Sequence, residues 1–250
     1  MDGGAFPTLI AMITIFFTGT ALTGPHAFFL PALFLSLLIL LGIAMTLAVS
    51  ALLSKTLLKG LPSAFVLELP PYRLPRFGKV ILESLRSKAL FVLARAVVTA
   101  APAGLLIWCL GNISVDGVSL LTLFSDLLDP LGRLAGMDGV ILMAFLLGWP
   151  ANEIVLPIMI MGYLSAGSMT QLSDLSSLSL LLSQQGWSWI TGLCVMLFFL
   201  FHFPCATTCL TIKKETGSLP WTIFAFLMPT AVGLCLCIAC AFFCRLFTGI

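Results

Sequence analysis

From Gly3 to Ser54 the chain carries no Asp, Glu, Lys or Arg. Such a stretch cannot supply the polar surface of a water-soluble fold, so it must be solvated by something other than water. A bilayer core takes about 20 apolar residues per helix. Two such spans fit, 6–22 and 27–53, joined by a turn holding Gly24, Pro25 and His26. They read as a helical hairpin. A third span is expected over 88–110, with Trp108 as an interfacial aromatic. The last is expected over 221–243, opened by Pro220 and closed before Arg245. Composition agrees: 9% of the 250 residues are charged, against roughly 25% in soluble domains. The net charge of +2 is too weak to argue for nucleic acid, and none is expected as a partner. The start is not a signal peptide, because Asp2 stands where a basic region belongs. It reads as a chain that begins at the edge of a membrane helix.

Two further apolar segments are interrupted. Segment 140–164 contains Gly148, Pro150 and Pro157, with Asn152 and Glu153 near its centre; segment 189–211 is broken at Pro204. Proline removes a helical hydrogen bond, and the backbone groups it frees are tolerated at membrane depth only inside protein or along a cavity. Paired interruptions therefore point to a ligand site at the breaks. The expected fold is an all-α polytopic membrane protein with broken or re-entrant helices.

Basic residues set the orientation. Residues 54–87 hold Lys55, Lys59, Arg73, Arg76, Lys79 and Arg86, half of the chain's Lys and Arg, which makes this connector cytoplasmic. Segment 111–136, with Asp116, Asp126 and Asp129 against Arg133, then lies outside. If 140–164 dips in and returns, Lys213 and Lys214 fall inside and the rule holds; that is the preferred reading. In the connector, Pro70, Pro71 and Pro75 with Pro62 restrict the backbone to extended and turn shapes. With Tyr72 and Arg73 between them, it reads as a strap on the membrane face or as a coupling surface for a small cytoplasmic regulator.

The chemistry concentrates at the breaks. Glu153, Asn152 and the carbonyls freed by Pro150 offer three kinds of oxygen ligand within four residues, a set for a hard or borderline cation. The competing role for Glu153 is an ion pair with Arg95, the basic residue inside the third span. After Pro204, Cys205 and Cys209 stand four apart and share a helical face, with Thr208 between them and His202 before the break. Thiolate ligands favour softer divalent ions. Taken alone, cysteines in an apolar run are also ordinary packing residues, and Cys235, Cys237, Cys240 and Cys244 are read that way. No nucleotide loop, zinc-protease or serine-hydrolase motif occurs, so no enzyme is expected.

Three segments carry a resemblance: SKTLLKGLPSAFVLELPPYRLP from Ser54, GWPANEIVLPIMIMGYL from Gly148, and FPCATTCLTIKKETGSLPW from Phe203. With them the chain resembles the C-terminal membrane portion of the ferrous-iron transport protein B family, across nearly all 250 residues. The resemblance implies gate-type helical repeats that move Fe(II) across the bacterial inner (cytoplasmic) membrane, regulated by a GTP-binding domain. Pro204, Cys205, Thr208, Lys213, Lys214, Glu215 and Gly217 match the family's second-gate pattern; Thr207 replaces a usual alanine and Cys209 adds a thiol. Glu153 falls where the family commonly has a carboxylate.

The implied division is 1–53 with the first gate, 54–87 as connector and 88–250 as second gate. Fe(II) is then cargo, with no permanently bound cofactor. The metal set expected is Cys205, Glu153, Asn152, Cys209 and Thr208, with Pro150, Pro157 and Pro204 breaking the helices. The partners expected are membrane lipid, a second copy of the chain, and a GTP-binding domain with a first gate, supplied in trans or missing. The alternatives are a transporter of another cation or small solute, and a non-transporting scaffold or remnant.

Overall fold

The computed structural model describes residues 5–18, 26–56, 78, 82–83, 85, 89–169 and 174–248. The connector residues Pro70, Pro71, Tyr72, Arg73 and Pro75 lie outside them. The regular secondary structure of the described chain is helical apart from a short hairpin of two-residue strands, β1 (Ser114–Val115) with β2 (Val118–Ser119). Its helices are α1 (Ala5–Ile13, continued by a π-helical turn Thr14–Thr18), α2 (His26–Lys55), α3 (Leu90–Asn112), α4 (Leu120–Leu134), α5 (Gly139–Leu147), α6 (Val155–Tyr163), α7 (Leu175–Gln184), α8 (Trp189–Phe201), α9 (Ala206–Thr216) and α10 (Leu219–Thr248).

Among the described residues, four helical stretches are long and apolar enough to cross a membrane: Pro31–Lys55, Val92–Asn112, Trp189–Thr216 and Leu219–Phe247. Three of them correspond to expected spans, and the fourth is the segment broken at Pro204. Their outer faces remain apolar. Leu37 and Leu47 of α2 and Val98 of α3 are each more than 60% exposed, as expected of helices that meet lipid rather than water. The dry core lies elsewhere. Met143, Ala144, Val155, Met159, Met161, Cys194 and Met196 have no exposed surface, and they belong to α5, α6 and α8.

Segment 140–164 does not run straight through. α5 and α6 fold back on each other, so Gly162 at the end of α6 abuts Val140 at the start of α5. The same closure is made by polar groups: the Tyr163 hydroxyl donates to the Asp138 carboxylate at 2.5 Å, and the Trp187 indole N–H donates to the Tyr163 oxygen at 2.7 Å. Asp138 also caps α5 through the Ile141 N–H at 2.8 Å. Both ends of the hairpin therefore sit together, beside the start of α8. α8 and α9 then run to the far end, and Lys213 and Lys214 close α9 there.

Segment 111–136 contains a helix. Ser119 accepts from the Thr122 N–H at 3.2 Å and starts α4, which turns into α5 at 111°. Leu121, Ser125 and Gly132 are buried on one side of α4 while Asp126 is exposed. The Asp129 carboxylate receives Arg133 on one oxygen and the Gly139 N–H, at 3.1 Å, on the other. α8 and α10 pack antiparallel, Cys194 meeting Cys237 through reciprocal thiol-to-carbonyl contacts of 3.9 and 3.3 Å. All eight cysteines are free thiols, and buried packing describes Cys194 and Cys237 but not Cys235, which is exposed.

Candidate functional site

The two breaks meet. After α5 the chain leaves helical geometry at Trp149 and Pro150, then makes a single 3₁₀ turn over Asn152–Ile154 before α6. After α8 it is extended from His202 to Cys205, and α9 starts at Ala206. Helix ends leave carbonyls and N–H groups without partners inside the helix. At this crossing they satisfy one another, because the Ala206 N–H at the start of α9 donates to the Trp149 carbonyl at 2.9 Å. A second link joins side chains: His202 Nε2 lies 3.1 Å from Asn152 Oδ1. Phe203, stacked on Phe226 of α10 at 4.8 Å, closes one wall together with Trp149.

The candidate ligands divide at this crossing. Cys205 is half-buried, and its Sγ lies 3.1 Å from both the Thr207 and the Thr208 hydroxyl. Cys209 is buried one turn further on, its thiol donating to the Pro204 carbonyl at 3.5 Å. The two thiols therefore flank the start of α9, Cys205 at its cap and Cys209 in its first turns, but face different surroundings. Asn152 is buried, at 6% exposure, whereas the neighbouring Glu153 is exposed. A 3₁₀ turn sets successive side chains about 120° apart, so one faces the crossing and the other faces out. Pro150 is half-buried at the break, and Pro157 is buried inside α6.

Arg95 does not turn to Glu153. Its Nη1 donates to the Thr207 carbonyl at 3.3 Å and to the Thr211 hydroxyl at 2.5 Å, tying α3 to the first turns of α9. Between these helices lies an apolar cleft of about 610 Å³, bordered by Trp149, Pro150, Cys209 and Lys213. Among the described residues, no three or more His, Cys, Asp or Glu side chains are grouped so as to hold a metal ion.

His202 is the site residue that the expected metal set left out. The signal for it was an imidazole beside a helix break. Its partner Asn152 is 50 residues earlier in the chain.

The family model for nucleoside recognition (Gate) matches residues 93–219, just over half of the chain, and that for the ferrous iron transport protein B C terminus matches residues 35–86. The Fe(2+) transporter FeoB of Staphylococcus aureus (strain MSSA476) is 29% identical over 202 residues, which cover 77% of this chain and 28% of that protein. The FeoB of Leptospira biflexa is 27% identical over 212 residues, covering 78% and 30%. That of Synechocystis is 29% identical over 205 residues, covering 79% and 31%. The chain thus spans less than a third of the length of these relatives. No solved structure matches it. The crossing lies wholly within the Gate match, and the apolar helices around it, together with the match to bacterial relatives, place the chain in the bacterial inner (cytoplasmic) membrane as a multi-pass protein. The chain belongs to the nucleoside-recognition (Gate) family and is a FeoB-like C-terminal membrane region within it.

Proposed function

We propose that this chain forms the ion path of an Fe(II) uptake permease. The observation that carries the reading is the crossing itself. Two interrupted helices bring freed backbone, a buried amide, an imidazole and a half-buried thiol to the middle of an apolar bundle. Irregular backbone at membrane depth belongs beside a cavity or a ligand. In this reading Cys205 is the soft ligand, with the Thr208 hydroxyl beside it, and Asn152 supplies amide oxygen. Cys209 is a neighbouring thiol that holds the turn. Glu153 faces outward, where it draws cations toward the break and meets the first gate. Pro150, Pro157 and Pro204 keep the helices interrupted.

Fe(II) is the cargo, and no cofactor is held between transport events. The chain performs no catalysis of its own. GTP hydrolysis and the first gate come from other segments or chains, docking near 1–53, while connector 54–87 receives a small cytoplasmic regulator and 88–250 forms the gate. The relatives that support this are named as Fe(2+) transporters.

The family description, nucleoside recognition, favours a second reading in which the crossing passes a small organic solute. Radiolabelled uptake separates them. Anaerobic proteoliposomes holding this chain, with the remaining portion of the Staphylococcus aureus relative supplied, are expected to accumulate Fe(II) and not nucleosides. Nucleoside uptake without Fe(II) uptake would select the second reading, and neither would leave a scaffold.

A further inference from the structure

The His202 ring is fixed at both nitrogens. Nδ1 lies 2.9 Å from the Phe199 carbonyl, and a carbonyl only accepts, so Nδ1 carries a proton. The ring stands among Phe145, Phe198, Phe199 and Phe203, with centroids 5.3 to 6.3 Å away. In the tautomer that this bond selects, with the proton on Nδ1, the ring presents the Nε2 lone pair to Asn152, whose amide meets it with an N–H when turned about its last bond. Metal-ligating histidines are held in the same way, with the far ring N–H donated to a backbone carbonyl.

The same ring lines a cavity of about 440 Å³ between α2, α8 and α10. Thr46, Ser50 and Ser54 follow one another at one-turn intervals along its α2 wall, and Met45 and Met228 add thioethers. The hydroxyl protons of Thr46 and Ser54 are spent on the carbonyls of Gly42 and Ser50, at 2.8 and 2.9 Å. Their oxygens keep lone pairs for the cavity. A strip of oxygen and sulfur donors thus leads along α2, toward its Lys55 end, from the imidazole.

We propose that His202 Nε2 is a cation ligand of the path, taking a first-row divalent ion between the Cys205 side of the crossing and this cavity. Binding replaces the Asn152 hydrogen bond with a coordinate bond from the Nε2 lone pair. No proton leaves the ring, because its single proton stays on Nδ1. The inference rests on the permease reading and adds a ligand to it.

The chain has two histidines, His26 and His202, which makes the test specific. Co(II) is added anaerobically to the purified chain, and proton NMR is searched for a paramagnetically shifted imidazole N–H that disappears in D₂O. The expected result is one such signal in the parent, absent in His202→Gln, with Co(II) affinity lowered at least about tenfold. Glutamine can still bond Phe199 and Asn152, so a purely structural histidine would be rescued by it in the uptake assay. A parent without the signal, a signal that survives in His202→Gln, or parental Fe(II) uptake by that variant overturns the proposal. Absence of Fe(II) uptake by the parent with the His202 signal present would sink the permease reading and leave the ligand assignment standing.

Discussion

Cys205→Ser is expected to lower Fe(II) uptake by about 10- to 100-fold, the range set by losing a metal-site group, without changing the melting of the solubilised protein. The substitution is nearly isosteric. The hydroxyl keeps the contacts that Sγ makes with Thr207 and Thr208 at 3.1 Å. What disappears is the polarisable donor that a borderline cation prefers over water. Cys209→Ser is the matched control, because that thiol is buried against the Pro204 carbonyl and fills space. Its uptake should stay within about threefold of the parent, while its stability falls modestly with the loss of a buried apolar sulfur. Equal uptake by Cys205→Ser and the parent, measured per reconstituted molecule, would sink the ligand role.

Gly139→Ala is expected to be the most disruptive small substitution in the bundle. A Cβ at this position would stand 1.9 Å from the Ser125 carbonyl oxygen and 2.8 Å from the Asp129 nitrogen. Both neighbours are backbone atoms of α4, so no side chain can rotate away. Overpacked cores commonly lose 1–3 kcal/mol, and a backbone clash belongs at or above about 3 kcal/mol. The shift would also pull the Gly139 N–H from Asp129 and disturb the Asp138 cap on α5. Thermal unfolding in detergent should show a clear drop in midpoint or a failure to accumulate folded protein. Gly104→Ala on α3 meets nothing within 4 Å and should leave the midpoint unchanged or slightly raised. Parental melting by Gly139→Ala would contradict the close α4–α5 packing.

The long spans were legible because their signal is cumulative: twenty apolar residues in a row need no knowledge of neighbours. The breaks were legible for a different reason, since Pro150 and Pro204 act on their own backbone. The phase of side chains at those breaks was not. Asn152 and Glu153 are adjacent, and only the 3₁₀ turn between α5 and α6 decides that the amide enters and the carboxylate leaves. Charge marks cost at membrane depth, and that criterion alone favoured Glu153. His202 shows the limit of local reading, because its role comes from an amide brought to it by the crossing of two distant segments. Arg95 shows the same limit. Opposite charge suggested Glu153, whereas the fold offers it the Thr207 carbonyl and the Thr211 hydroxyl. α4 went unnoticed because 111–136 was weighed only by its three aspartates against Arg133, although the Ser119 cap and an apolar face on 120–134 were present. The re-entrant reading of 140–164 rested on two lysines alone; the Tyr163–Asp138 contact that brings the two ends of the segment together is made across 25 residues and could not be read locally.

The central claim is that a thiol at the crossing of two broken helices meets the transported ion. Iron K-edge X-ray absorption on the chain loaded anaerobically with Fe(II) tests it most directly. The account predicts a sulfur scatterer in the first coordination shell of the parent and of Cys209→Ser, lost in Cys205→Ser. A shell of oxygen and nitrogen alone in the parent, or a sulfur shell unchanged in Cys205→Ser, would contradict it.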